Sequence, residues 1–397
     1  MQAAGVAAFA PSIGLAAATS KQWPVIEGPD TPKLCLNSGD GGGPIQLTPP
    51  AEAGGAQPSP GAVPGRGGQG ARLEAGWKRM QQIGINTVIG VGMGVSPWQE
   101  ADIRATLQRA KDAGMTAYNT LINFSNNITF GRNGRDADIE NLIKSIQAAG
   151  RAGLPVIEYN FYANRVQEGY FEEAGRAGAG HTGFDYNRPV QEGGQTVLVK
   201  DLPPRPNVGA WTLDQMWSNI TYVLKIVVPI AEKAGVLLAL HPNDPPAPVS
   251  RGSQQIMGTL AGWKKLITIV DSPANGITFD SGVTLEMGED PVEVCRYFAS
   301  RKRINHVHFR NVVVKKPYER YAEVFLDEGQ VDMFGVMKEL VRAKYKGTIY
   351  PEHPRGLDYD RERLGFRPQY PGGGGYAGYT FNVAYARAML QAALASV

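Results

Sequence analysis

Short apolar runs alternate with amphipathic helical segments along most of this chain, and this alternation constrains the fold more than any other feature. Several helical segments end in a glycine, as at Gly114, Gly153 and Gly235, where a helix C-cap is expected. Alternation of this kind is typical of a parallel sheet with crossover helices. The predicted strands are residues 32–36, 86–91, 117–122, 155–159, 236–240, 276–279, 304–309 and 348–350.

Eight such units predict a closed (β/α)₈ TIM barrel rather than an open doubly wound sheet. No glycine-rich phosphate loop follows any of the eight runs, which disfavours a nucleotide-binding alternative. The clearest predicted helix start is at Thr212 and Gln215, which form a capping-box pattern before apolar residues at helical spacing. The chain is therefore expected to be one α/β barrel.

The N-terminal part of the chain differs in composition from the rest. Residues 1–18 are small, uncharged and mostly apolar, and they predict a truncated export signal, with a periplasmic location favoured and a cytoplasmic one as the alternative. Residues 19–71 contain the first predicted strand and a Gly/Pro-rich segment expected to form a long inserted surface loop. The barrel catalytic domain is expected to span residues 72–397. No later stretch reaches the roughly 18 uncharged apolar residues of a membrane span.

Charge and cysteine content narrow the class of partner. The 40 Lys and Arg residues against 37 Asp and Glu residues give a net charge of +3, too little to hold a polyanion by neutralisation alone. We therefore expect a small-molecule substrate rather than nucleic acid, with no membrane partner. The two cysteines, Cys35 and Cys295, cannot form a disulfide framework or a four-cysteine zinc site. The sequence is compatible with a homo-oligomer.

Polar residues of the metal-ligand type close four successive apolar runs. In a TIM barrel the active site lies at the carboxyl ends of the strands, and these residues follow one another about 30 to 45 residues apart, close to the length of one βα unit. Two imidazoles and two carboxylates favour Mn²⁺, with Mg²⁺, Fe²⁺, Co²⁺ and Zn²⁺ as alternatives. The plainer interpretation is that each is a strand-end side chain satisfied by loop backbone. The four residues are His241, Asp280, His308 and Glu352.

Two further residues extend this predicted site. A period of two places Arg310 on the same strand face as His308, and an arginine beside a metal suits a carboxylate or hydroxy-acid substrate. The alternative for Arg310 is a buried ion pair with an acidic neighbour such as Glu323. His353 follows Glu352 directly and is predicted to be a general acid or base, or else a structural histidine.

The motifs around these residues resemble those of the mannonate dehydratases, which are metal-dependent (β/α)₈ lyases of the xylose-isomerase-like group. The resemblance implies that the four strand-end residues hold a Mn²⁺-type ion and that His353 and Tyr379 are the proton-transfer pair. It also implies a sugar-acid substrate, D-mannonate, which loses water to give 2-keto-3-deoxy-gluconate. The motifs are EYNF at 158–161, HPNDPP at 241–246, TFDSG at 278–282, HFRN at 308–311, GQVDM at 329–333, PEH at 351–353 and GGYAGY ending at Tyr379.

Four positions depart from the family pattern. Asp280 stands where the family has a cysteine ligand and Glu352 where it has aspartate, while Tyr350 replaces an arginine and Leu326 a frequent histidine. An all-nitrogen-and-oxygen ligand set is closer to that of the sugar isomerases and epimerases. A metal-dependent sugar isomerase or epimerase is therefore the alternative function. A third is an exported, metal-containing sugar-binding protein without catalysis.

Overall fold

Parallel strands and crossover helices alternate along the chain in the computed structural model, which describes residues 27–42, 66–363 and 365–397. Eight of the described strands close into a barrel in which neighbours in sequence order are hydrogen-bonded neighbours in space. The strands are β1 (Lys33–Asn37), β2 (Thr87–Ile89), β3 (Thr116–Ile122), β4 (Val156–Tyr159), β5 (Tyr170–Ala174), β6 (Gly180–Asp185), β7 (Pro189–Glu192), β8 (Gln195–Leu198), β9 (Leu237–Leu240), β10 (Val249–Ser250), β11 (Ser253–Gln254), β12 (Asn275–Asp280), β13 (Ile304–His308), β14 (Asn311–Lys316), β15 (Arg320–Val324) and β16 (Thr348–Tyr350).

The barrel consists of β1, β2, β3, β4, β9, β12, β13 and β16, all paired in parallel. Each of the eight predicted runs coincides with one of these strands, so the predicted (β/α)₈ fold is confirmed. The capping box is also present, with Thr212 accepting from the Gln215 backbone at the start of the fifth helix. The helices are α1 (Arg66–Gln82), α2 (Glu100–Asp112), α3 (Asn126–Phe130), α4 (Arg135–Ala152), α5 (Leu213–Ala234), α6 (Leu260–Ile269), α7 (Ser281–Glu286), α8 (Pro291–Ser300), α9 (Met333–Arg342), α10 (Asp358–Arg361) and α11 (Tyr376–Ser396).

The barrel begins before residue 72, where the catalytic domain was expected to start, and its first strand is one of the eight predicted from the sequence. Strand β1 lies before that position, pairing with β2 on one side and β16 on the other, and α1 crosses it. The first strand is therefore an integral part of the barrel. The predicted export signal at 1–18, and the part of the Gly/Pro-rich loop between residues 43 and 65, lie outside the described residues and stay predictions.

A four-stranded antiparallel sheet, in the order β14–β15–β6–β5, was not expected from the sequence. Strands β5 and β6 come from the segment after β4, and β14 and β15 follow β13. Glycines interrupt the period of two in β6. One of them, Gly183, is required by packing, because a Cβ there would come within 2.5 Å of the Phe171 ring. The sheet carries Glu323, in register with Thr182, towards the mouth of the barrel.

The apolar core lies between the strands and the surrounding helices, where Trp77 of α1 and Trp263 of α6 are fully buried. Among the helices that the structure describes, none combines the length and the apolar character that crossing a bilayer requires.

Candidate active site

The four side chains predicted as metal ligands all lie at the carboxyl ends of barrel strands. Asp280 and His308 are the last residues of β12 and β13, His241 follows β9, and Glu352 lies just after β16. The structure brings them together around the His308 ring. His308 Nδ1 lies 3.1 Å from His241 Nε2, 3.0 Å from Glu352 Oε1 and 4.0 Å from Asp280 Oδ2.

A fifth candidate ligand, Glu158 on β4, was not among the predicted site residues. Its Oε1 atom accepts a hydrogen bond from Thr278 Oγ1 at 2.9 Å and lies 3.5 Å from His308 Nε2. Two groups of three residues each bring one ligand atom per residue to within 4.8 Å of one another. The first group is Glu158, His241 and His308, and the second is Asp280, His308 and Glu352. The signal in the sequence was a single charged residue inside the otherwise uncharged strand Val156–Tyr159.

The charges around this ligand cluster favour a cation at its centre. Burial opposes protonation of His308, but the carboxylates of Glu352 and Glu158 outweigh it and raise the pKa of His308 to about 9. A site that stabilises positive charge on one of its own imidazoles has the electrostatic character of a cation site. Donors of nitrogen and oxygen type suit several divalent metals, so the residues fit a metal without selecting one.

The surroundings of His241 fit a neutral ligand. Burial and the neighbouring His308 lower the pKa of His241, so the neutral ring is favoured. Its Nδ1 atom lies 2.7 Å from the carbonyl oxygen of Pro242. When Nδ1–H donates to that carbonyl, the Nε2 lone pair faces the cluster, which is the arrangement common to histidines that bind metals.

Arg310 forms ion pairs with buried carboxylates and does not line the ligand-sized cavity at this end of the barrel. It is 1% exposed, its Nε atom donates to Asp280 Oδ2 at 3.0 Å, and its Nη1 atom donates to Glu286 Oε1 at 2.7 Å. Glu323, the partner suggested as an alternative from sequence, lies 3.5 Å from Nη1. Gly282 makes room for this side chain, because a Cβ there would come within 2.9 Å of it. The structure thus shows Arg310 as an internal counter-ion, and its predicted contact with a substrate carboxylate stays a prediction.

His353 is held in a fixed orientation beside the ligand cluster. Its Nδ1 atom lies 2.8 Å from Glu323 Oε2, and Arg355 binds the same oxygen at 3.0 Å. Its Nε2 atom lies 3.5 Å from Glu352 Oε2. Burial opposes protonation of the ring, but the carboxylates of Glu323 and Glu352 outweigh it and raise the pKa of His353 above its ordinary value. The antiparallel sheet therefore supplies the residue, Glu323, that orients His353.

Tyr379, the other predicted proton-transfer residue, belongs to a chain of hydroxyl groups. Its OH lies 2.9 Å from the OH of Tyr350, which in turn donates to Asp40 Oδ2 at 2.8 Å. Burial raises the pKa of Tyr379 well above its ordinary value, so the phenol stays neutral. Tyr350, the residue that replaces the family's arginine, thus connects Tyr379 to a carboxylate of the loop after β1.

Two adjacent cavities of about 370 Å³ each open at this end of the barrel. The first, called the ligand cavity below, is lined by Glu158, His241, His308 and Glu352 together with Arg165. The second is lined by Tyr379 and Arg355 among others. Both are lined by Asp40, His353, Gln369 and Tyr370. Cavities of this size accommodate a small-molecule ligand.

Comparison with known proteins finds mannonate dehydratases among the proteins similar to this chain. Residues 209–395 match the family model described as D-mannonate dehydratase. A mannonate dehydratase from Streptococcus pneumoniae is 28% identical over 307 residues, which cover 72% of this chain and 81% of the relative. These matches confirm the resemblance that the sequence motifs indicated.

Solved structures share the barrel. The crystal structure of a mannonate dehydratase from Streptococcus suis serotype 2 superposes with a TM-score of 0.66 at 23% identity, covering 92% of this chain and 94% of that one. An L-ribulose 3-epimerase superposes with a TM-score of 0.52 at 15% identity, covering 92% and 96% of the two chains. At these identities the superpositions establish the fold alone, and the fold is common to lyases and epimerases.

Proposed function

We propose that this chain, a relative of the mannonate dehydratases, is a hydro-lyase that removes water from a sugar acid with the help of a divalent metal ion. The proposed substrate is an aldonate, specifically D-mannonate. The product is a 2-keto-3-deoxy acid of the 2-keto-3-deoxy-gluconate type. The observation that carries the proposal is the convergence of histidine and carboxylate ligands beside His353 in one cavity. The relatives' activity gives the same reaction class.

The predicted ligands His241, Asp280, His308 and Glu352, together with Glu158, would hold the ion. Mn²⁺ is the cation we propose, because the set combines imidazoles with carboxylates, and Mg²⁺, Fe²⁺, Co²⁺ and Zn²⁺ are the alternatives. When bound, the metal supplies Lewis-acid stabilisation for the negative charge that develops next to the substrate's carboxylate.

His353 and Tyr379 are proposed to move the two protons of the elimination. The C2 proton of an aldonate is weakly acidic because it lies next to the carboxylate. One of the two residues removes it, and the other protonates the hydroxyl that leaves from C3. His353 can exchange a proton at Nε2, since Nδ1 faces Glu323. Tyr379 can pass a proton to Tyr350 through the contact of their hydroxyl groups.

The test is to incubate metal-stripped protein with D-mannonate, with and without Mn²⁺, and to assay for a 2-keto-3-deoxy acid. Product that depends on the metal is the expected result. The variant His353→Ala should keep its bound Mn²⁺ and its fold but lose turnover. Undiminished turnover by that variant would contradict the role of His353. Metal that binds without any product formed would contradict the dehydratase.

A metal-dependent sugar isomerase or epimerase is the second candidate, and the oxygen ligands favour it. Asp280 and Glu352, with Glu158 nearby, provide carboxylates and no thiolate, in contrast to the cysteine of the resembling family. The same metal-loaded protein should then convert a keto sugar into its epimer or aldose isomer while leaving D-mannonate unchanged. Incubation of both substrates in parallel, followed by sugar analysis, separates the two functions.

A further inference from the structure

Arg165 occupies a different electrostatic situation from Arg310. It lies in the loop after β4, is half-buried, and donates from Nε to the backbone carbonyl oxygen of Asp244 at 2.7 Å. Within the described residues, no carboxylate lies within ion-pair distance of its guanidinium. Arg310, by contrast, donates to two carboxylates.

The charge of the neighbouring carboxylate, that of Asp244, acts on Arg165, but its oxygen atoms contact other residues. The Oδ1 atom of Asp244 accepts a hydrogen bond from the Tyr170 hydroxyl at 2.7 Å, and its Oδ2 atom lies 3.5 Å from Arg310 Nη2. Asp244 thus accepts a hydrogen bond from Arg165 through its main-chain oxygen, while its carboxylate acts on the guanidinium from beyond ion-pair distance. The aromatic ring of Tyr162, 5.9 Å from the guanidinium carbon, forms part of the same wall.

Arg165 is also the arginine that the ligand cavity contains. Among the described residues lining that cavity, it stands with Glu158, His241 and Glu352, and Arg310 is not one of them. The remaining charged groups of this lining are mainly acidic. Arg165 and the metal are therefore the main positive groups available to an anion bound in the ligand cavity.

We infer that Arg165 is the substrate-binding residue for the carboxylate of the sugar acid. The planar guanidinium pairs with a carboxylate through two parallel N–H to oxygen contacts, which fixes the acid end of the substrate in the ligand cavity. The chemical class of the ligand, an aldonate, rests on the proposed function. The assignment of the residue rests on the geometry of the cavity.

Binding measurements on the Mn²⁺-loaded protein test this inference separately from turnover. The affinity for D-mannonate is compared with that for D-mannonamide, which keeps every hydroxyl group but lacks the negative charge. In the wild type the acid should bind more tightly than the amide. In Arg165→Gln the affinity for the acid should fall by about 10- to 100-fold, as for loss of a charge-assisted contact, while that for the amide changes little. Arg165→Lys should retain part of the preference, because it keeps the charge but not the fork.

The matched control is Arg132→Gln. Arg132 is exposed, also donates to a backbone carbonyl oxygen, that of Asn207, and does not line the ligand cavity. It should leave both affinities unchanged. Circular dichroism and Mn²⁺ binding of each variant show whether the fold and the metal site are retained.

The outcomes distinguish this inference from the proposed function. Turnover of D-mannonate with unchanged affinity in Arg165→Gln would overturn the role of Arg165 alone. Affinity that depends on Arg165, without any turnover, would support the inference and contradict the dehydratase. A wild type that does not bind D-mannonate overturns both. An equal loss of affinity for acid and amide would show a structural role and overturn the inference.

Discussion

Two clusters of charged side chains lie side by side at the mouth of the barrel, and they solve the same electrostatic problem differently. In the ligand cluster, the carboxylates of Glu158 and Glu352 lie closest to imidazoles, which can be neutral or charged, although Arg310 Nε also lies 3.5 Å from Glu352 Oε1. In the neighbouring cluster, Asp280 and Glu286 face the guanidinium of Arg310, which is permanently charged. Similar acidic residues can thus either bind an added cation or be neutralised by a resident one.

Asp280 belongs to both clusters, which makes the comparison testable. Its Oδ1 atom caps α7 by accepting from the Val283 backbone at 2.8 Å, and its Oδ2 atom accepts from Arg310. The second oxygen also lies 4.0 Å from His308 Nδ1. Removing a metal-ligand side chain from the ligand cluster should therefore lower activity. Removing the charge of Arg310 from the neighbouring cluster should lower the stability of the fold.

The largest effect is expected from His308→Ala, which removes the side chain around which the ligand cluster is arranged. Metal content should fall sharply, and turnover of the substrate by more than about a hundredfold, because the charge developing in the reaction loses its stabilisation. Elemental analysis of the purified protein and a turnover assay measure the two effects. The control is His181→Ala, since His181 lies in the antiparallel sheet beside Glu328 and outside the ligand cavity. Full metal content in His308→Ala would show that this cluster is not the metal site.

Arg310→Met tests the neutralised cluster. Removing a buried counter-ion leaves carboxylates without a positive partner, and we expect a loss of about 3–5 kcal/mol in the free energy of unfolding. Urea unfolding at neutral pH measures this loss, which should shrink at acidic pH as the carboxylates become protonated. Arg320→Met is the control, because the ion pairs of the partly exposed Arg320 should contribute less than about 1 kcal/mol. Equal losses in the two variants would contradict the distinction drawn between the clusters.

Asp40→Asn tests a third case, a buried carboxylate that is paired with neither an imidazole nor a guanidinium. Burial raises the pKa of Asp40 to about 7 although the Tyr350 hydroxyl donates to it, with Tyr379 and Glu352 as its other titratable neighbours. A pKa raised above the unfolded value means that the folded protein holds the proton longer, so stability falls as pH rises from about 4 through 7. The wild type should lose this stability between pH 5 and pH 8, and Asp40→Asn should lose less. Thermal unfolding at the two pH values measures the difference, and identical pH dependence in both proteins would contradict it.

The parts of the site that lie at strand ends could be predicted, because the topology determines them. Once eight βα units are recognised, a polar residue closing a strand must point to one end of the barrel, which is why His241, Asp280, His308 and Glu352 were found. Glu158 was missed because it lies within a strand, where the sequence does not indicate which side chains surround a charged residue. The antiparallel sheet was missed because its pairing joins two segments far apart in sequence and because one of its strands, β6, contains Gly180 and Gly183.

The sequence by itself determined the barrel, since hydrophobic periodicity and helix signals are local properties that repeat with each unit. Only the tertiary structure decided which charged side chains are neutralised and which face open space. Arg310 looked suited to a substrate from its position in the strand, yet Asp280 and Glu286 surround it. Arg165 had no distinguishing pattern, yet it lines the ligand cavity. The physical reason is that the partner of a charge is set by contacts between residues far apart in sequence, which no local pattern records.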